Sequence, residues 1–162
     1  MDTVFTSQRI RFVSVSESLI ADYLAMINDQ EHVARFLGLS RSAEPLSEQK
    51  ERQWVQKKLA ENAPVFSMLE KQTGAFIGNM EFIGITDGVA ELGIAITADM
   101  QDKGFGTEAI PALVRYGVDR LGLHRVFLRV RPFNARAIHV YEKCGFQEYD
   151  RNETSVFMEI IK

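Results

Sequence analysis

One stretch restricts what this chain can fold into more than any other. An apolar run, Ala90-Glu91-Leu92-Gly93-Ile94-Ala95-Ile96, reads as a strand. Shortly after it comes Gln101-Asp102-Lys103-Gly104-Phe105-Gly106-Thr107, and behind that Ala109, Ile110, Leu113, Val114, Gly117 and Leu121 recur at helical spacing. Strand, glycine turn and helix start therefore follow in order. Such a turn aims consecutive backbone N–H groups at one point, and the helix start adds partial positive charge. Gly104 and Gly106 let the backbone take dihedrals closed to other residues and come close to a ligand. The chemistry this suits is phosphate binding.

The remaining elements fall on either side. Arg9 to Val15 alternates as a first strand, and Ser14-x-x-Glu17 has the form of a capping box. Leu19, Ile20, Tyr23, Leu24 and Ile27 make a helical stripe, and a shorter one at Val33, Phe36 and Leu37 is stopped by Gly38. Ser47 opens another helix with Trp54, Val55 and Leu59 inward. Val65–Glu70, Ala75–Ile85 and Val89–Thr97 read as strands, the last two joined at Thr86-Asp87-Gly88. The long helix starts near Gly106 and ends before Gly122; if Thr107 is its N-cap, Pro111 falls in the first turn, where a proline is tolerated. Val126–Val130 is a strand, Asn134 caps a helix from Ala135 to Cys144, and Thr154–Ile161 is a last strand. The order β-α-α-β-β-β-α-β-α-β predicts an α+β fold: a mixed, mostly antiparallel central sheet with helices on both faces.

Bulk properties remove several classes. The 162 residues read as one domain, 1–162, with 46% hydrophobic and 25% charged residues, as in soluble globular proteins. A net charge of −3 argues against a nucleic-acid partner. No apolar run approaches a membrane span and no signal peptide is evident, so no membrane association is expected. A single cysteine, Cys144, excludes an internal disulfide framework and fits the reducing cytoplasm. No spacing of His, Cys and Asp suggests a metal.

Gln101-x-x-Gly104-x-Gly106 matches the Gln/Arg-x-x-Gly-x-Gly/Ala signature of the GNAT superfamily of N-acetyltransferases. The run from Asn134 through Tyr141 to Phe146 is similar to that superfamily's second block. From about Arg9 to Tyr149 the chain resembles the branch holding the ribosomal-protein alanine and serine acetyltransferases and the spermidine acetyltransferases. The resemblance implies an acyl-CoA N-acyltransferase fold and acetyl-CoA as co-substrate, with no metal. It places pantetheine along an unpaired strand edge at Ile94, Ala95 and Ile96. It places the pyrophosphate on Gln101, Asp102, Lys103, Gly104, Phe105, Gly106 and Thr107, with Asn134 able to bond the cofactor's amides or simply to cap its helix. Tyr141 matches the family tyrosine that protonates the departing thiolate. The segment after Phe146 is shorter here than in many relatives.

Acetyl transfer to an amine needs a base, oxyanion donors and an acid for the thiolate. Glu91 is the leading base: with strict alternation Val89, Glu91, Gly93 and Ala95 share a face of small residues that suits a cavity wall better than a core. Glu81 is its rival, diagonal to Glu91 if the hairpin closes on Asp87 and separated by a one-residue slip; a water relay is the third option. His124 and Cys144 read as structural, His139 as solvent-facing, and His32 lies near the acceptor side. The expected function is direct transfer of acetyl from acetyl-CoA to a primary amine, either of a small molecule or of a protein N-terminus, by a monomer or homodimer. The alternative is a non-catalytic acyl-CoA sensor or scaffold.

Overall fold

A computed structural model describes residues 1–37 and 44–162. The expected stop at Gly38 lies outside the described residues. Eight strands form one sheet: β1 (Thr3–Thr6), β2 (Ile10–Ser14), β3 (Val65–Glu70), β4 (Phe76–Thr86), β5 (Val89–Ile96), β6 (Arg125–Val130), β7 (Gln147–Arg151) and β8 (Val156–Ile161), in the order β1-β2-β3-β4-β5-β6-β8-β7. Every neighbouring pair is antiparallel except β5–β6. A parallel pair needs a crossover connection, and the helix α3 (Phe105–Leu121) supplies it.

The pleat sends side chains to two cores. On one face Ile10, Phe12, Met68, Met80 and Leu92 meet α3 and the helix α4 (Ala135–Lys143). On the other, Val13, Val15, Val65 and Leu69 meet helices α1 (Ile20–Ile27) and α2 (Glu48–Ala60). The α+β class with helices on both faces is therefore the observed one. Local signals also hold: the Ser47 hydroxyl accepts from Lys50 N at 3.2 Å, and Asn134 Oδ1 accepts from Ala137 N at 3.3 Å. The Ser14 capping box does not form; Ser16 caps a 3-10 turn at Glu17–Leu19 instead. Leu59, expected inward, is half exposed.

The order read from the sequence lacks two of these strands. Both β1 and β7 are edge strands, and β7 is exposed along its whole length. With no buried face there is no alternation to read; pairing with β8 is what makes Gln147–Arg151 a strand.

Three glycines set the site's frame. The two-residue turn Asp87-Gly88 has positive φ at both residues, as a type I′ hairpin requires. A bulge at Gly84 (φ +63°) then shifts the register, so that Thr86 faces Val89 but Ile83 faces Glu91 and Glu81 faces Gly93. Gly104 (φ +81°) caps α3, which starts earlier than Thr107. Pro111 is consequently inside the helix rather than in its first turn. Its missing N–H frees the Thr107 carbonyl, which accepts the Cys144 thiol at 3.8 Å.

Candidate active site

The two parallel strands stay together for three residue pairs only: Val89 with Arg125, Ala90 with Val126 and Glu91 with Phe127. Beyond Glu91, β5 follows β4 out to Ile96 while β6 follows β8 out to Val130. The facing edges part, and backbone groups of β5 between Leu92 and Ile96 are left without a strand partner on that side. A cleft of about 580 Å³ opens in the gap. Its walls are Leu92–Ile96, Arg129–Arg131, the start of α3 and one side of α4, including Tyr141. An extended chain of amides can add to such an edge as a further strand.

One end of the cleft is the glycine turn. The first intrahelical bond of α3 is Glu108 N to Gly104 O at 3.2 Å, so the N–H groups of Phe105, Gly106 and Thr107 have no partner in the helix. The Phe105 ring is buried and anchors this turn from below, with the Arg9 guanidinium 4.3 Å from its centroid. Arg9 also donates to Lys103 O at 3.1 Å and pairs with Glu108 at 2.8 Å. At Gly106 an added Cβ would sit 3.6 Å from Ile96 Cδ1 and from Val140 Cγ1, so its absence keeps the floor open. Gln101 is a strut: its Nε2 donates to Ile96 O at 2.9 Å and to His32 O at 3.0 Å. Arg136 holds both Gln101 Oε1, at 2.8 Å, and the Asp102 carboxylate, at 3.0 Å. These residues fit a diphosphate and a chain of amides: free N–H groups at a helix start, arginines at hand, and an unpaired strand edge leading away.

Deeper in, Glu91 and Tyr141 face the same cleft. Arg129 Nε donates to Glu91 Oε2 at 2.8 Å. Glu81 shares that face, diagonal to Glu91, but lies 3.7 Å from Lys58 Nζ and outside this cleft's walls. Burial pushes the Tyr141 phenol up to about 12, with Cys144 adding to the rise. Tyr141 therefore holds its proton across the physiological range. At the mouth, the 3-10 turn Ala34–Leu37 meets the β6–α4 loop: Phe36 and Phe133 rings lie 5.8 Å apart, and the Arg35 guanidinium lies 4.5 Å from the Phe36 centroid.

Residues 9–147 match the family model described as "Acetyltransferase (GNAT) domain". The chain belongs to the GNAT acetyltransferase family. Among curated relatives, the spermidine N(1)-acetyltransferase of Vibrio cholerae is 35% identical over 94 residues, 57% of this chain and 54% of that protein. The chain spans about half the length of the curated relatives it matches. Solved structures share the fold, among them two that match nearly the whole chain. A GNAT-family acetyltransferase from Bacillus anthracis has a TM-score of 0.82 at 17% identity, covering 96% of each chain. The V. cholerae spermidine N-acetyltransferase, solved with CoA and spermine, has a TM-score of 0.81 at 24% identity over 94% of this chain and 95% of that one.

The GNAT fold brings nearly all the sequence-predicted site residues to one cleft: Glu91, Ile94, Ala95, Ile96, Gln101, Asp102, Gly104, Phe105, Gly106, Thr107, Asn134 and Tyr141 all line it. Lys103 does not; its side chain is exposed and is not part of the cleft wall. His124 Nε2 bonds the Asp87 carbonyl at 2.9 Å and packs under Gly88, a structural role. His139 is exposed. Sequence reading missed Arg129, Arg131 and Arg136, cations of the cleft wall, and Arg9, which braces the glycine turn. Arg136, two residues past the Asn134 cap, carried the one usable signal, a cation in the first turn of α4 facing the glycine turn. Among the described residues no three His, Cys, Asp or Glu side chains gather as a metal site, and no helix is long and apolar enough to cross a membrane.

Proposed function

We propose that this chain is an acetyl-CoA-dependent N-acetyltransferase acting on a primary amine by direct attack in a ternary complex. Support comes above all from one observation: β5 and β6 separate after Glu91, and the gap runs from the free N–H groups of α3 to the Tyr141 phenol. In this reading the Phe105, Gly106 and Thr107 amides hold the pyrophosphate, and the Ile94–Ile96 edge hydrogen-bonds pantetheine. Amides near Ile94 stabilise the developing oxyanion. Glu91, directly or through water, takes a proton from the acceptor ammonium so that the neutral amine attacks the thioester carbonyl, and the Tyr141 hydroxyl gives its proton to the departing thiolate. Gln101 and Arg136 position the turn rather than contact the cofactor through a free side chain.

The acceptor in this reading is a small-molecule amine or a protein N-terminus. The chain acts as one domain, in the cytoplasm, as a monomer or homodimer. The ion pair of Glu91 with Arg129 favours a second reading, in which the carboxylate is structural and the protein holds acyl-CoA without turnover. Incubation with acetyl-CoA and a panel of amines and N-terminal peptides, read by mass spectrometry, separates the two. Acetylated product supports the enzyme; cofactor binding by calorimetry without product from any acceptor supports the sensor. No heat with any CoA thioester sinks both.

A further inference from the structure

The charges lining the cleft restrict the acceptor. Besides Tyr141, its ionisable walls are His32, Glu91, Asp102, Arg129, Arg131 and Arg136, and His32 lies 3.1 Å from Asp29. Both carboxylates are already matched: Glu91 by Arg129 at 2.8 Å and Asp102 by Arg136 at 3.0 Å. Asp102 and Arg136 sit at the glycine turn, on the cofactor side. That leaves Arg131, for which the described residues offer no carboxylate partner; its Nη1 donates to the Thr154 carbonyl at 3.1 Å and its other N–H groups remain. Thr154 and Ser155, from the turn between β7 and β8, line the wall beside it. Glu81, the other carboxylate on the Glu91 face, is held toward Lys58 outside the cleft. Residues 38–43 read Gly-Leu-Ser-Arg-Ser-Ala, so they bring no Asp or Glu to the cleft wherever they lie.

A polyamine would enter this cleft with a second and third ammonium and, among the described residues that wall it, find no unpaired carboxylate to meet them, only a surplus guanidinium. Burying an ammonium near a like charge without a counter-ion is costly. A carboxylate is what the planar fork of an arginine receives best, through paired N–H donors. Resting on the acetyltransferase reading, we propose that the acceptor is a primary amine whose carrier bears a carboxylate, with Arg131 as the residue that binds that carboxylate and Glu91 left to serve the amine. The carrier is a free amino acid or a peptide with an acidic residue near its amino terminus; the chemistry Arg131 recognises is the same in both.

The test compares matched acceptors: amino acids against their carboxamides, peptides with Asp or Glu at the second or third position against the Asn or Gln equivalents, and spermidine. Steady-state CoA release gives kcat and KM separately, and calorimetry gives acetyl-CoA affinity. The expected result is a kcat/KM at least about tenfold higher for one carboxylate series over its amide, carried by KM. The series that shows it tells a free amino acid from a peptide. Arg131→Gln brings that ratio toward one with acetyl-CoA affinity retained, and Arg131→Lys restores part of it. Equal use of acids and amides, spermidine outperforming every carboxylate acceptor, or an unchanged ratio in Arg131→Gln overturns the proposal while leaving the acetyltransferase reading standing. Product from none of these acceptors, with acetyl-CoA bound, overturns this proposal together with turnover.

Discussion

Arg129 and Glu91 meet at 2.8 Å from adjacent strands, at the last point where β5 and β6 are still joined. The pair closes the inner end of the cleft: beyond it the strands have parted, and before it they share a ladder. The carboxylate is thus held at the apex of the gap, where an amine reaching a thioester along the β5 edge would arrive. The contact fixes Glu91 in place and engages both of its oxygens, Oε2 from Arg129 Nε at 2.8 Å and Oε1 from Nη2 at 3.4 Å.

Glu91→Gln keeps the shape and removes the negative charge. If Glu91 accepts the acceptor's proton, kcat/KM falls by roughly 10²-fold or more at neutral pH, and the loss shrinks as pH rises toward the amine's own pKa. Steady-state rates across pH, with acetyl-CoA affinity measured in parallel, check this. A flat ratio of mutant to parent rates at every pH removes Glu91 as the base.

Tyr141→Phe slows release of the thiolate without abolishing it, because a thiolate leaves fairly well unprotonated; a fall in kcat on the order of tenfold is expected. The phenol also carries a stability signature. Its value in the folded state, about 12, exceeds the ordinary value of 10, so the folded protein keeps a proton that the unfolded chain releases. The stabilisation is complete below about pH 10 and is lost as pH rises from 10 through 12. Urea unfolding at pH 8, 10 and 11 should show a decline that is shallower in Tyr141→Phe.

Gly104 and Gly106 are expected to fail differently. Gly104→Ala forces an ordinary side chain into the left-handed region and 3.3 Å from Arg9 Nη2, so stability drops by about 1–2 kcal/mol. Gly106 has no positive φ, and an added methyl meets only ordinary contacts. Gly106→Ala should therefore leave the thermal midpoint unchanged or slightly raised, as a helical alanine does, while weakening acetyl-CoA binding at least about tenfold through the lost approach distance. Calorimetry and thermal melts separate the two outcomes.

Glu108 fastens the amino-terminal strands to α3. Burial raises its pKa, but hydrogen bonds from the Ser7 hydroxyl, Arg9 N and the Arg9 side chain outweigh that and hold the carboxyl below its ordinary range. The stability it contributes is present above the ordinary carboxylate pKa and disappears as pH falls through the lowered one. Glu108→Gln should cost about 2 kcal/mol at pH 7 and much less at pH 3, read by denaturant titration at the two pH values.

Much of this molecule is written locally. The spacing of Ala109, Ile110, Leu113 and Val114 marks α3, Ser47 and Asn134 are read as caps and act as caps, and Asp87-Gly88 is read as a turn and is one. The motif from Gln101 to Thr107, legible in the sequence, forms one end of the cleft. Each of these signals sits within a few residues of the structure it specifies, because helix repeats, caps and tight turns are set by short-range geometry.

Tertiary structure alone decided the rest. A single bulge at Gly84 sets which residues of β4 face β5, and so places Glu81 diagonal to Glu91 rather than on the opposite face. The three-pair junction of β5 with β6 brings together Glu91 and Arg129, 38 residues apart in sequence. The edge strands β1 and β7 exist through their partners. The physical reason is common to all of these. Strand pairing joins residues whose separation along the chain carries no period, and the energy that selects one register is shared across the whole sheet and its two cores.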